Sequence, residues 1–283
     1  MKKVFKNVGL VARYDKKQAL KLAEELAEHL RDRGLRVFFE DTLAGKLNFS
    51  GGEFISLKSM KTDFIITIGG DGTILRACLG LPDPEPPILA INMGVRGFLT
   101  EVEPKGACTA VEKILNGDFK IEKCTKLAVS TDEQVMPDAL NDVVISAGEP
   151  TKILYTQIYK DDEPILKCQA DGLIASTQTG STGYSLSAGG SVLDPEVDAF
   201  VLTPICSLTV FRSLVFSADS KVTIDAIRPN EMLVLIDGNY RQSVKSKKHR
   251  LTITRAKNVT SFIRFRDDFY NRLRSRLLFK GMG

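Results

Sequence analysis

The stretch FIITIGGDGTILRACLG, residues Phe64 to Gly80, decides the fold. It begins with a short apolar run typical of a strand buried on both faces, passes through glycines, and ends in a helical pattern. The runs LRVFF and ILAIN have the same apolar character, and they alternate with amphipathic helical patterns such as Lys17 to Arg33. This alternation predicts an α/β domain with a mainly parallel sheet.

The second half of the chain has a different pattern. From about Phe119, strand-like segments follow one another with short turns between them, and helical patterns are nearly absent. This predicts a mainly antiparallel, all-β second domain over residues 119–265, while residues 1–118 and 266–283 form the α/β domain. The amphipathic stretch from Asp267 to Phe279 is expected to be a helix that returns to the first domain.

Composition restricts the class of protein. The 283 residues are 43% hydrophobic and 26% charged, which is typical of a globular protein with a substantial core. No apolar run approaches the roughly 18 residues of a membrane span. Lys6 and Arg13 interrupt the amino terminus before a secretory signal could form. A cytoplasmic protein with no membrane partner is therefore expected.

Cysteine and histidine are scarce in this chain. Five widely spaced cysteines without a CxxC pair indicate neither a disulfide framework nor a zinc site. His29 and His249 lie in charged stretches and are expected on the surface, so acid–base chemistry must rely on carboxylates.

Charge gives little indication of a nucleic-acid partner. The net charge is only +4, and the basic stretch from Arg241 to Arg250 has little aromatic interleaving. This pattern favours a solvated face, with binding of an anionic small molecule as the alternative.

The glycine loop contains an acid, Asp71, between Gly70 and Gly72. Backbone N–H groups of such a loop would face a ligand at the carboxyl end of the strand, where a carboxylate would repel phosphate. The acid is useful if it orients or deprotonates a hydroxyl that attacks a phosphate while Mg²⁺ offsets the charge. The loop thus predicts phosphoryl transfer to an alcohol. The alternative is a plain turn in which Asp71 caps a helix beginning at Thr73.

Arg76 is expected to be a surface or salt-bridge residue.

A second constellation is DGLIASTQTGSTGYSLSAGG, Asp171 to Gly190. Its hydroxyl side chains and glycines suit ribose hydroxyls and carboxamides, and Asp171 could accept a hydrogen bond from either group. Tyr184 offers a flat face for a base or ring. The alternative is a strand, a Ser/Thr-rich turn and a helix beginning near Ser181.

These stretches carry a family resemblance. GGDGT, Gly69 to Thr73, resembles the signature of NAD kinases and of the wider group containing diacylglycerol, sphingosine and six-carbon sugar phosphate kinases. The stretch from Asp171 to Gly190 resembles one in NAD kinases that lipid kinases lack. INMGVRGFLTEV (91–102), LNDVVIS (140–146) and IDG (236–238) agree in order, so the chain is similar to NAD kinases over roughly residues 65 to 240.

The resemblance implies that ATP or polyphosphate, with Mg²⁺ or another divalent cation, phosphorylates the 2′-hydroxyl of the adenosine ribose of NAD. It implies that Asp71 is the catalytic acid–base residue, and it leaves the metal ligands unknown. The residues implied along the phosphoryl donor are Gly69, Gly70, Gly72 and Thr73. The residues implied for NAD are Phe98, Asn141, Asp142, Asp171, Thr179, Thr182, Gly183, Tyr184 and Ser187. A homodimer or homotetramer is also implied.

This chain departs from the family pattern at several of these places. Asp142 stands where Glu is commoner, and Gln178 and Gly183 replace a usual proline and alanine. Cys206 and its neighbours replace a frequent Pro-His pair. These departures leave the preference for NAD or NADH open. Two other hypotheses remain: a dinucleotide-binding regulator without catalysis, and a lipid or polyol kinase that shares the GGDGT loop.

Overall fold

The computed structural model describes residues 5–94, 97–149, 151–229, 231–245, 250–266 and 268–278. The chain forms two compact units. The first comprises the residues up to Lys123 together with those from Thr260 onward, and the second comprises Cys124–Val259. Within the described ranges, no helix is long and apolar enough to cross a membrane.

The first unit contains a parallel sheet flanked by helices. Its main elements are β1 (Asn7–Ala12), α1 (Lys17–Asp32), β2 (Arg36–Glu40), β3 (Glu53–Ile55), β4 (Phe64–Gly69), α2 (Asp71–Gly80), β5 (Ile88–Asn92) and α3 (Ala107–Asn116). Short 3₁₀ turns cover Asp41–Leu43, Leu57–Ser59 and Pro104–Gly106. The strands lie in the order β3-β2-β1-β4-β5, and each neighbouring pair is parallel. The predicted α/β class with a mainly parallel sheet is confirmed.

The strand order reverses at β1. The chain moves outward through β2 and β3 and then returns to place β4 on the other side of β1. In open parallel sheets, such a reversal leaves a crevice outside the carboxyl ends of the two central strands, where ligands bind. The carboxyl end of β4 is the glycine loop, so this loop lies at the ligand-binding edge of the sheet.

Apolar burial explains these elements. All six residues of β4 are buried, as are all five of β5, because sheet neighbours and helices cover both faces. Helix α1 buries one apolar stripe and ends before Gly34, whose φ of +78° suits the residue after a helix end. The buried stripe consists of Ala19, Leu22, Ala23, Leu26, Ala27 and Leu30.

The second unit is built from antiparallel strands. β6 (Lys120–Thr131) enters it and β16 (Arg250–Arg264) leaves it. The elements between them are β7 (Asp142–Ala147), β8 (Leu154–Lys160), β9 (Glu163–Ala170), β10 (Gly172–Ser176), α4 (Tyr184–Ser187), β11 (Ala199–Ile205), β12 (Leu214–Ser217), β13 (Val222–Arg228), β14 (Glu231–Ile236) and β15 (Tyr240–Lys245). One sheet has the order β12-β11-β10-β7-β14-β15, and every pairing in it is antiparallel. The predicted β-rich domain is confirmed.

The carboxyl-terminal helix also forms as predicted. It is α5 (Phe269–Leu278), and it belongs to the first unit. The ring of Phe269 contacts the ring of Phe98 edge-on, with centroids 5.2 Å apart. The predicted ends of this helix, Asp267 and Phe279, lie outside the described residues, as do His249 and residues 246–248 of the basic stretch.

Candidate active site

The glycine loop connects β4 to α2, and each glycine has a distinct role. A Cβ on Gly69 would lie 2.1 Å from the Thr73 Oγ1, so only glycine allows Thr73 to pack against the end of the strand. At Gly70 and Gly72, a Cβ would meet no atom of the described chain within 4 Å. The loop backbone is therefore accessible to a ligand on the side of these two glycines.

Asp71 is the first residue of α2, and its carboxylate is held by a different loop. The N–H of Phe98 donates to Oδ2 at 2.9 Å, and the N–H of Leu99 donates to Oδ1 at 3.1 Å. The alternative in which Asp71 caps a helix beginning at Thr73 is wrong, because the helix begins at Asp71 itself. A carboxylate oxygen can accept more than one hydrogen bond, and each oxygen of this half-buried group accepts one from the backbone, so the group can still receive a hydroxyl proton.

Gly97 leaves the space that this arrangement requires. A Cβ there would lie 2.4 Å from Oδ1 of Asp71 and 3.1 Å from Oγ1 of Thr100. A real side chain does not approach so closely, and a substitution at Gly97 must displace the carboxylate. The loop after β5 thus both holds Asp71 and depends on a glycine to do so.

Lys16 lies beside the glycine loop, and sequence reasoning missed it. Its ammonium donates to the carbonyl of Met93, while the N–H of Met93 donates to the carbonyl of Gly69 at 2.8 Å. The N–H of Arg13 donates to the carbonyl of Ile68 at 2.9 Å. The connection from β1 to α1 therefore brings a cation to a loop that has no lysine of its own. Only the order of the strands, in which β1 pairs with β4, could have indicated this contact.

Arg76 does not serve the loop. Both of its terminal nitrogens donate to the carboxylate of Glu40, with Nη2 2.8 Å from Oε2, and Glu40 is almost fully buried. The pKa of Arg76 is raised, chiefly by this hydrogen-bonded carboxylate. The interpretation of Arg76 as a salt-bridge residue is confirmed.

The Phe98 side chain is buried against neighbouring residues. Its side chain is 7% exposed, its ring contacts Phe269, and the Arg272 guanidinium lies 5.6 Å from the ring centroid. Its backbone also serves the site, because its N–H binds Asp71 and its carbonyl accepts a hydrogen bond from Arg272 at 3.2 Å. A contact between this ring and the adenine of a dinucleotide remains a prediction.

In the second unit, Asn141 and Asp142 form a turn that enters β7. The carbonyl of Asn141 accepts a hydrogen bond from the N–H of Thr177 at 2.9 Å. A Cβ on Gly180 would lie 2.0 Å from the same carbonyl oxygen, so this glycine allows the close packing of the two segments. The Oδ1 of Asn141 is buried and has no hydrogen-bond partner among the described residues, which is uncommon for an amide oxygen.

Asp142 shares its surroundings with a second acid, Asp237. Burial raises the pKa of Asp142 to about 7, and the negative charge of Asp237 adds to this rise. Burial also raises the pKa of Asp237, while three backbone N–H groups and the charge of Lys126 oppose that rise. Sequence reasoning noted Asp237 only within the IDG match and assigned it no role.

The hydroxyl-rich loop is the part of the Asp171 to Gly190 stretch that follows β10, and it contains both buried and exposed residues. The Thr182 hydroxyl is buried and donates to the Thr179 carbonyl at 3.1 Å, so it shapes the loop. Tyr184 is 47% exposed and Ser187 is also exposed, which leaves both available to a ligand. A Cβ on Gly183 would lie 4.0 Å from Oδ2 of Asp142, so the loop and the Asn141–Asp142 turn adjoin each other.

Asp171 lies away from these residues. In the antiparallel pair of β7 and β10, Ser176 is opposite Asp142, whereas Gly172 is opposite Ser146. Gly172 and Ser176 are four residues apart, which corresponds to roughly 14 Å along a strand. Asp171 is exposed at the far end of β10. A single ligand would contact Asp142 and Asp171 only if it extended along the strand.

Comparisons with known proteins match the two halves of the chain to two family models. Residues 8–119 match the family model described as the ATP-NAD kinase N-terminal domain, and residues 140–265 match the ATP-NAD kinase C-terminal domain. An NAD kinase of Methanothermobacter thermautotrophicus is 38% identical over 277 residues, which cover 97% of each chain.

Two solved structures are also similar. An NAD kinase from Archaeoglobus fulgidus in complex with ATP superposes with a TM-score of 0.78 at 27% identity, covering 95% of this chain and 99% of that one. Yeast NADH kinase complexed with NADH superposes with a TM-score of 0.89 at 23% identity, covering 99% of this chain and 89% of that one. The second likeness concerns the fold alone.

Proposed function

The chain belongs to the ATP-NAD kinase family, and from this premise we propose that it transfers a phosphoryl group from ATP to the 2′-hydroxyl of the adenosine ribose of NAD. Inorganic polyphosphate is the alternative donor. The observation that carries the proposal is the fixed Asp71 carboxylate in a glycine loop that is accessible to a ligand. This is the arrangement expected of a group that receives a proton from an attacking hydroxyl.

The role of Asp71 follows from its contacts. Two backbone N–H groups fix the orientation of the carboxylate, so an acceptor hydroxyl meets it in a defined geometry. As the 2′-oxygen attacks the terminal phosphorus of the donor, Asp71 holds and then accepts its proton. The bond from that phosphorus to the bridging oxygen breaks, and the nucleoside diphosphate leaves.

We propose that the donor triphosphate lies along the backbone of Gly69, Gly70, Gly72 and Thr73. The amino end of α2 and the Lys16 ammonium supply positive potential there. In the described part of the chain, no three His, Cys, Asp or Glu side chains converge on a cation site. An Mg²⁺ ion that is held mainly by donor phosphates needs no such cluster. When bound, Mg²⁺ neutralises phosphate charge.

For NAD, we propose that the adenosine half and the nicotinamide half contact different parts of the second unit. The unpartnered Oδ1 of Asn141 suits the amino group of adenine, and Asp142 suits a ribose hydroxyl. Asp171 at the far end of β10 suits the nicotinamide half of an extended dinucleotide, with the exposed Tyr184 and Ser187 along the way. Contacts with Phe98, Thr179, Thr182 and Gly183 remain predictions, as do the cytoplasmic location and the homodimer or homotetramer.

Product analysis tests this function. The purified protein is incubated with Mg-ATP and, in separate reactions, NAD, NADH, diacylglycerol and sphingosine, and the products are identified by mass spectrometry. We expect one phosphate to be added to NAD or NADH, at the 2′ position of the adenosine ribose. Phosphorylation of a lipid would support the lipid kinase. Tight binding of NAD without any product would support the regulator.

A further inference from the structure

We infer that Asp237 is a positioning residue for NAD, because its one carboxylate holds the backbone of the Asn141–Asp142 turn through three hydrogen bonds. The inference rests on the proposed function, in which Asn141 and Asp142 bind the adenosine of NAD. It assigns a role to a residue 95 positions further along the chain, at the end of β14.

Hydrogen bonds join Asp237 to the backbone of residues 140–142, and we call this set of bonds the clamp. Oδ2 of Asp237 accepts the N–H of Leu140 at 2.8 Å, while Oδ1 accepts those of Asn141 and Asp142 at 2.8 and 3.0 Å. In return, the N–H of Asp237 donates to the carbonyl of Asp142 at 3.0 Å. Four hydrogen bonds thus join two segments that are distant in sequence. They fix the backbone from which the Asn141 and Asp142 side chains project.

The backbone of Asp237 is itself unusual. Its φ is +49°, in the left-handed region that residues other than glycine rarely adopt, and its side chain is 3% exposed. Such a conformation persists where the surroundings impose it. Here the three N–H groups require two acceptor oxygens on one side chain. A carboxylate provides both, whereas an amide provides one oxygen and an N–H₂ group that would face the N–H of Leu140.

The clamp places a second negative charge beside the ribose-binding acid. Among the described residues, the charged groups that act on this pair are Asp142, Asp237 and the buried Lys126 on β6. Repulsion from Asp237 adds to burial in raising the pKa of Asp142 to about 7. Because a protonated acid is a weaker acceptor for a ribose hydroxyl, NAD binding should weaken as the pH falls through this range.

Steady-state kinetics from pH 6 to pH 9 test the inference with Asp237→Asn. We expect the KM for NAD to rise about tenfold at pH 8.5. The substitution replaces the charge-assisted hydrogen bond from the N–H of Leu140 by a contact between two donors, and the turn loses the free energy of that bond. The KM for ATP should stay within twofold. The pH below which the KM for NAD increases should move downward, because the neighbouring charge is gone. Asp142→Asn should abolish this pH dependence altogether.

Lys126→Met provides a second variant that leaves all four clamp bonds intact. Removing its positive charge should make the acid pair hold protons more tightly, so the weakening of NAD binding should begin at higher pH. The inference is overturned if both variants keep the wild-type pH midpoint, or if Asp237→Asn raises the KM for NAD and ATP equally. Should Asp237→Asn fail to fold, the midpoint in Lys126→Met decides. If wild type forms no product, the proposed function fails, and the same pH series by calorimetry with NAD still tests the clamp.

Discussion

Asp71 and Asp142 lie in the two turns that we propose to bind substrate, and the two units hold them in opposite ways. In the first unit, backbone N–H groups donate directly to the Asp71 carboxylate, which is half-buried at the edge of a parallel sheet. In the second unit, the backbone N–H groups of the turn donate to Asp237, and Asp142 is 8% exposed beside that second acid. One acid is oriented by its own hydrogen bonds, and the other by a neighbour.

The difference suits the two roles that we propose for these aspartates. A proton acceptor must be fixed with respect to the reacting oxygen, and direct N–H bonds fix Asp71. A ligand-binding acid needs a fixed backbone, and its protonation then depends on burial and nearby charge. We therefore expect substitutions in the first turn to act mainly on turnover and those in the second turn to act mainly on NAD affinity.

The largest expected effect comes from Asp71→Asn. An amide cannot accept the hydroxyl proton, so turnover should fall by about 10³-fold, within the usual range for a general base. NAD affinity should change by no more than a few-fold. Turnover is measured by NADP formation and affinity by calorimetry with NAD. Turnover equal to that of wild type would show that Asp71 is not the catalytic group.

Gly97→Ala tests whether the orientation of Asp71 matters as well as its charge. The new methyl group would lie 2.4 Å from Oδ1 and must displace the carboxylate, and a displacement of about 1 Å can lower turnover about 10²-fold. Gly94→Ala in the same loop is the matched control, because its Cβ meets nothing within 4 Å among the described residues. Equal turnover in the two variants would contradict the proposed dependence on orientation.

Asp142→Ala should act on binding. Loss of a hydrogen bond between a carboxylate and a ribose hydroxyl weakens binding by roughly 10- to 100-fold. The dissociation constant for NAD is measured at pH 8.5, where the carboxylate is ionised, and the KM for ATP serves as the control. An unchanged dissociation constant would rule out the ribose contact.

The smallest expected effect is that of Lys16→Ala. Removing the ammonium group beside the glycine loop should raise the KM for ATP several-fold, since a partly exposed charge contributes about 1 kcal/mol. The effect should decrease at high salt, and the KM for NAD should not change. Lys21→Ala is the control, because Lys21 lies on α1, the helix that follows Lys16, with its side chain 78% exposed. A matching change in both variants would contradict a specific role for Lys16.

The sequence was sufficient for the fold class and for the two candidate loops. Apolar runs of strand length and helices with one apolar stripe are local patterns, and they predicted β4, α1 and the antiparallel second unit. The glycine loop and the hydroxyl-rich loop were recognisable because their residue types are unusual in a short stretch. The interpretation of Arg76 as a salt-bridge residue also held, although its partner, Glu40, could not be named.

Residue pattern alone therefore determined which segments form strands and helices, and which short stretches are candidates for the site, because both depend on neighbouring residues. Only the tertiary structure decided that Asp71 binds the N–H groups of Phe98 and Leu99, and that Lys16 reaches Met93. It likewise decided that Asp237 holds a turn 95 to 97 residues away. Such contacts arise from strand order and from the packing of distant loops, and no local spacing of residues encodes them.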